Sequence, residues 1–193
     1  EDLAVVHVGR IAPEKNLPLA VRAFRTLQRA VPSARFVWVG DGPARAQLER
    51  EHPDFVFCGI QRDEALARHF ASADLFLFPS RSETYGNVTL EAMASGVPTV
   101  AFDYGAAREC LRDGIHGAAV DDGDNADDAF VDAAVRLAID PAARARMRLA
   151  ARDAVSALRP ERVAADFDTI LQRLAQTEVR HEPRLAAPSP AGE

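Results

Sequence analysis

Leu75-Phe76-Leu77-Phe78-Pro79-Ser80-Arg81-Ser82-Glu83-Thr84-Tyr85-Gly86-Asn87-Val88-Thr89-Leu90-Glu91-Ala92-Met93-Ala94-Ser95-Gly96-Val97-Pro98-Thr99-Val100-Ala101-Phe102 reads as strand, loop, helix and strand. The first four residues and the last four are apolar or β-branched and do not alternate with polar ones. That is the signature of a strand buried on both faces. Val88, Glu91, Ala92 and Ser95 fall at helical spacing between them. Pro79 closes the first run, and Gly96 and Pro98 separate the helix from the second. Strand, helix and strand in succession form the unit of a parallel sheet.

The same texture continues in both directions. Apolar runs at 3–8, 35–39, 55–58 and 117–120 read as four more strands. Leu17, Ala20, Val21, Phe24 and Leu27 share one helical face, as do Ala65, Leu66, His69 and Phe70. About six strands alternating with helices predict an α/β fold. The expected architecture is a Rossmann-like, doubly wound parallel sheet with helices on both faces. Ligands of such sheets bind at the carboxyl ends of the strands. Beyond Val120 the spacing predicts helices over 126–139, 141–158 and 160–174, with Pro141 and Pro160 at helix starts. From Gln176 the chain is polar and rich in Pro and Ala, and disorder is expected.

Composition narrows the class. The 193 residues suffice for one ordinary domain with a real core. Hydrophobic residues at 48% and charged residues at 27% are the balance of a folded globular chain. A net charge of -6 argues against nucleic acid as a partner, which calls for a basic face. Cys58 and Cys110 are too few for a disulfide framework and fit a reducing compartment. No apolar run approaches the roughly 18–20 residues of a membrane span, and no stretch reads as a signal peptide. The chain opens at Glu1 without Met and enters an apolar run at once, which fits a segment of a longer protein.

The first strand ends in Val8-Gly9-Arg10-Ile11-Ala12-Pro13-Glu14-Lys15-Asn16, and a helix follows. Arg10 and Lys15 put two cations at the mouth of the sheet beside a helix start. Side-chain charge, backbone N–H groups and helix dipole together suit a diphosphate. Lys15 is the only lysine among 23 basic side chains, which hints that this loop requires a compact ammonium. The loop fits neither a Walker motif nor a Gly-x-Gly-x-x-Gly fingerprint. A solvated surface lysine is the plain alternative. Val39-Gly40-Asp41-Gly42-Pro43 and Phe57-Cys58-Gly59-Ile60 also put glycine at strand ends. They outline a cleft on one rim, although a tight turn without ligand contact explains the first equally well.

Glu83 and Glu91 are separated by seven residues. A helix beginning near Gly86 would hold Glu91 roughly 7–8 Å along its axis. A ligand across that helix start could meet one carboxylate at each end, with its phosphates on the Gly86 and Asn87 amides. Glu91 shares a face with Val88 and Ala92, so partial burial is expected for it.

This segment resembles the Glu-x7-Glu motif of retaining glycosyltransferases with the GT-B fold, a family that includes bacterial mannosyltransferases and sucrose-synthase-like enzymes. The resemblance rests on Val8-Gly9-Arg10, Glu14-Lys15-Asn16, Gly40-Asp41-Gly42-Pro43, Phe57-Cys58-Gly59, 73–80 and 91–98 in order, and spans 3–175. It implies a C-terminal nucleotide-sugar-binding domain at 1–175 and a tail at 176–193. The N-terminal acceptor domain would lie outside this chain. Arg10 and Lys15 match positions that bind the nucleotide diphosphate, together with Gly9. Glu83 matches the glutamate beside the donor sugar near its anomeric carbon. Tyr85-Gly86-Asn87-Val88-Thr89 matches the segment whose amides hold sugar and phosphate, with Tyr85 where Phe is more usual. Glu91 matches the glutamate on the ribose hydroxyls. Gly42 belongs to a matched loop, and Gly59-Ile60-Gln61 matches the region around the base. Arg10, Lys15 and Glu83 are therefore the candidate catalytic residues.

The implied reaction moves a hexose with retention, without a metal and without any cofactor beyond the nucleotide sugar. Glu83 would orient the sugar or stabilise positive charge at its anomeric carbon, not act as a covalent nucleophile. Ser82 to Glu91, followed by Ala101-Phe102-Asp103-Tyr104, looks most like GDP-mannose-dependent mannosyltransferases acting on lipids; UDP-sugar users come close. An acceptor glycan or lipid would be held by the other domain. The expected location is the cytoplasm, with the full-length enzyme peripherally at the inner face of the cytoplasmic membrane.

Other readings compete. Asp122-Gly123-Asp124 spells Asp-x-Asp, a metal-holding pattern in glycosyltransferases of another fold. Here it reads as a turn and helix N-cap region. A nucleotide-sugar epimerase, a phosphorylase or a non-catalytic binding module could share the fold. Glycogen-type phosphorylases need a cofactor-bearing lysine, and the only one here sits in the phosphate loop. None of the five histidines falls in a nucleophile or metal pattern.

Overall fold

Each strand is short because each is a run of apolar residues closed by Gly, Pro or a polar pair. In the computed structural model, which describes residues 2–156 and 158–178, six strands form one parallel sheet. They are β1 (Ala4–Val8), β2 (Arg35–Val39), β3 (Val56–Gly59), β4 (Leu75–Phe78), β5 (Thr99–Phe102) and β6 (Gly117–Val120). Their order is β3-β2-β1-β4-β5-β6, and every neighbouring pair is parallel. The helices are α1 (Leu17–Ala30), α2 (Arg45–Glu51), α3 (Asp63–Ala71), α4 (Asn87–Ala94), α5 (Ala106–Cys110), α6 (Ala126–Ile139), α7 (Pro141–Val155) and α8 (Pro160–Glu178).

The strands lack alternation because both faces of the sheet are covered. Val5, Leu75, Leu77, Val100 and Phe102 pack into one layer with Phe24 of α1 and Phe130 of α6. Val6, Val8, Phe76, Phe78 and Ala101 pack into the other with Phe70 of α3, Met93 of α4, Ala107 of α5 and Ala151 of α7. The doubly wound architecture expected from the sequence is thus the one observed.

The described residues up to Ser156 form one compact unit and those from Leu158 to Glu178 belong to a second. Within the second, α8 carries Val163, Phe167, Ile170, Leu171 and Leu174 exposed at helical spacing. The helix runs to Glu178, so residues 176–178 are helical where disorder was expected. No Gly or Pro falls between Pro160 and Pro183. The rest of the expected tail, from residue 179, lies outside the described residues. No helix among the described residues is long and apolar enough to cross a membrane.

His7 is fully buried in β1, its ring 4.6 Å from that of Trp38. Its Nδ1–H donates to the Leu77 carbonyl at 3.1 Å, because a carbonyl can only accept. Burial lowers its pKa to about 4; the Leu77 bond opposes this and the nearby Lys15 charge adds to it. The unfolded chain binds this proton near 6.5 and the folded chain only near 4. Falling pH therefore favours unfolding across that window, by about 3 kcal/mol in all. His52, also lowered by burial, acts in the same direction. Melting temperature should fall steadily from pH 6.5 to 5, above the range where carboxylates titrate. His7→Asn should flatten that slope; an unchanged slope would remove His7 from the account.

Candidate functional site

The strand order reverses between β1 and β4. The chain steps outward to β2 and β3 on one side and to β5 and β6 on the other. The connections leaving β1 and β4 therefore separate above the sheet, and a crevice opens between them. The loop after β1 runs through Gly9 and Arg10 into a 3-10 turn, Pro13–Lys15. Asn16 then adopts the left-handed conformation, φ 53°, and α1 begins. The loop after β4 runs from Pro79 to Gly86 and feeds α4.

These two loops enclose a cavity of about 570 Å³. Gly9, Arg10, Glu14 and Lys15 line one wall; Glu83, Thr84, Tyr85, Gly86, Asn87 and Val88 line the other. The first N–H groups of α4, which have no intrahelical acceptor, belong to that second wall. A second cavity of about 420 Å³ shares Val8, Gly9 and Arg10 and extends to Gly40, Asp41, Ile60 and Gln61. The β1, β2 and β3 loops are laddered along this rim. Gly9 N–H donates to the Val39 carbonyl at 3.0 Å, Ile11 N–H to Asp41 at 2.9 Å, and Gly40 N–H to Gly59 at 2.8 Å.

Both cations in the first cavity already carry a carboxylate. Arg10 pairs with Glu14 at 3.1 Å, its side chain 64% exposed. Lys15 donates to Glu83 Oε1, and these two side chains are each only 17% exposed. The loops are tied twice more: Asn16 Nδ2 donates to the Pro79 carbonyl at 3.3 Å, and Ser82 Oγ to the Glu14 carbonyl at 3.4 Å.

The loop bearing Glu83 is anchored on its other flanks as well. Arg81 reaches Asp122 at 3.3 Å and Asp127 at 2.8 Å, and lies 4.2 Å over the Phe102 ring. Tyr85 O–H donates to Glu109 at 2.9 Å, which raises the phenol pKa to about 12. The Tyr85 carbonyl accepts from Ala106 N–H at 2.7 Å. A side chain at Gly105, φ +54°, would collide with that carbonyl.

Residues 2–140 match the model of the family described as Glycosyl transferases group 1. The chain belongs to this family. It is 43% identical over 99 residues to "Sulfoquinovosyl transferase SQD2" of Arabidopsis thaliana, covering 50% of this chain and 19% of that protein. It is 38% identical over 162 residues to "GDP-mannose-dependent alpha-(1-6)-phosphatidylinositol monomannoside mannosyltransferase" of Mycolicibacterium smegmatis. That match covers 77% of this chain and 42% of the relative. The chain thus spans less than half the length of either. The pneumococcal O-GlcNAc transferase GtfA, solved with UDP and GlcNAc, superposes with a TM-score of 0.77. The match covers 93% of this chain and 36% of that one, at 19% identity, and shows a shared fold.

In this group 1 glycosyltransferase domain, the candidate residues Gly9, Arg10, Lys15, Glu83, Tyr85, Gly86, Asn87 and Val88 meet in the first cavity, and Ile60 and Gln61 in the second. Four others line neither wall. Gly42 packs against the Ile11 carbonyl, and Gly59 ends β3. Thr89 is buried on the inner face of α4. Glu91 is exposed, which corrects the expected partial burial. The buried stripe of α4 is Thr89, Ala92 and Met93. At about 100° per residue, Glu91 points roughly 160° away from Thr89 and Met93. It stands one turn beyond Asn87 on the outward side.

The Asp-x-Asp segment forms the expected turn, with Gly123 N–H on the Asp121 carbonyl at 3.2 Å. It leads into the expected N-cap of α6, Asn125, whose φ and ψ are -109° and 20° and whose side chain makes no cap hydrogen bond. Asp122 and Asp127 serve Arg81 instead. Among the described residues no group of three or more His, Cys, Asp or Glu is arranged to hold a metal ion. Asn16, Arg81, Gly105 and Glu109 escaped the sequence reading as supports of the site. Their partners lie at remote positions, so no local motif announces them.

Proposed function

We propose that this domain binds a nucleoside diphosphate sugar for transfer of its hexose with retention, GDP-mannose being the first donor. The observation that supports it best is the convergence at the crevice of Lys15, Arg10, the α4 N-terminus and Glu83. Developing negative charge on a leaving diphosphate would meet two cations and a helix start. Glu83 would accept hydrogen bonds from sugar hydroxyls and favour positive charge near the anomeric carbon. The second cavity, beyond Gly9, would take the nucleoside, with Ile60 and Gln61 beside the base. Glu91, exposed past Asn87, is free to accept from ribose hydroxyls.

GDP-mannose is favoured by the GDP-mannose-dependent relative at 38% identity over 77% of the chain. A UDP-sugar is the second reading, supported by a fold neighbour solved with UDP and GlcNAc. The acceptor, a lipid or glycan, would be held by a further domain of a longer, bacterial protein working at the inner membrane face. Titration calorimetry of this chain with GDP, UDP and ADP and their sugars tests the reading. GDP-mannose should bind tightest, and the domain by itself should transfer nothing. Binding of none of these nucleotides at millimolar concentration would overturn it.

A further inference from the structure

The two cations of the crevice are neutralised within the domain itself. Arg10 is exposed and its partner Glu14 is four residues away, so that pair is held weakly. Lys15 and Glu83 differ. They are 68 residues apart, each 17% exposed, and brought together only by the adjacency of β1 and β4. Both loops are fastened independently of the pair. Asn16 holds Pro79, Ser82 holds the Glu14 carbonyl, and Tyr85 is tied to Ala106 and Glu109. The backbone under Glu83 is therefore fixed on both sides, and its carboxylate can leave Lys15 only by side-chain rotation.

A diphosphate entering this cavity meets an ammonium whose charge is already matched. It must compete with a carboxylate that cannot retreat far, in a half-buried setting where such competition is stronger than in water. A donor sugar can offset the cost, because its hydroxyls give Glu83 new donors when Lys15 turns to phosphate. A nucleoside diphosphate stripped of its sugar offers none.

Resting on the donor-site reading above, we propose that Glu83 has a second role as the resident counter-ion of Lys15. It lowers the affinity of the site for the free nucleoside diphosphate, and by recapturing Lys15 it speeds departure of that product. Glu83 thereby sets the preference of the site for donor over product.

Calorimetry with GDP and UDP, and with the sugar nucleotide of whichever binds, tests this on wild type, Glu83→Gln, Lys15→Ala and the double variant. Glu83→Gln is isosteric, and a melting curve confirms its fold; Glu83→Ala serves as a second variant should the Gln carbonyl still engage Lys15. Glu83→Gln should bind the free diphosphate about tenfold more tightly than wild type, at the scale of one charge-assisted hydrogen bond. Release of a fluorescent diphosphate analogue should slow in proportion in stopped flow. The preference for sugar nucleotide should shrink. In the Lys15→Ala background the gain should drop below about threefold, since simple charge repulsion survives there and competition for Lys15 does not. If wild type binds, Lys15→Ala binds more weakly, and neither Glu83 variant binds the free diphosphate more tightly, the counter-ion role is wrong and the donor site stands. An undiminished gain in the Lys15→Ala background also overturns it. If wild type binds no nucleotide, the donor-site reading fails and takes this role with it.

Discussion

Lys15→Ala should weaken GDP binding by this domain about ten- to a hundredfold. A hydrogen bond from an ammonium to a phosphate oxygen is worth roughly 1.5–3 kcal/mol. Arg10 lines the same wall, but at 64% exposure its charge is screened by solvent and divided with Glu14. Removing Lys15 also leaves Glu83, at 17% exposure, without its counter-ion and facing the incoming diphosphate. Both consequences act in the same direction. In a longer enzyme carrying this domain, donor turnover should drop by orders of magnitude, because the charge on the leaving group grows in the transition state. Calorimetry on the domain measures the first effect and donor consumption the second. Unchanged affinity with an unchanged melting temperature would remove Lys15 from the site.

Gly40→Ala should damage stability and binding together. The φ of Gly40 is +140°, and a Cβ there would be driven into the Gly9 carbonyl. Neither loop can yield cheaply. Gly9 N–H is bonded to Val39 and Gly40 N–H to Gly59, so a shift at one loop disturbs the rim of three strands. Strained backbone and a main-chain clash together should cost about 2–4 kcal/mol, read from urea unfolding. Gly9 and Arg10 form the wall common to both cavities, so the displacement should also abolish measurable GDP binding. Wild-type stability in this variant would mean that the loops part without cost.

Much of this is legible in the sequence because it is written in local periodicity. Non-alternating apolar runs identified the strands, and four of the six, β2, β4, β5 and β6, begin and end at the expected residues. The alternation of strand and helix carried the parallel, doubly wound class. The β1 loop cations and Glu83 can be nominated from the sequence because motif residues lie close along the chain. The extents of the short α2 and α5, and the 3-10 turn at Pro13–Lys15, are not legible in the sequence. At five to seven residues the helices are too short to develop a period, and tertiary contacts hold them.

The sequence by itself determined which segments are strands and longer helices, that both sheet faces are covered, and which charged residues lie at strand ends. These follow from side-chain polarity at successive positions, and polarity is a property of each residue. The tertiary structure decided what those charges do. It made Glu83 the partner of Lys15 and Arg81 the partner of Asp122 and Asp127. It also turned Glu91 outward and laid Gly40 on the Gly9 carbonyl. Each of these depends on β1 lying beside β4 and on the exact rotation of a helix, neither of which any local stretch of sequence encodes.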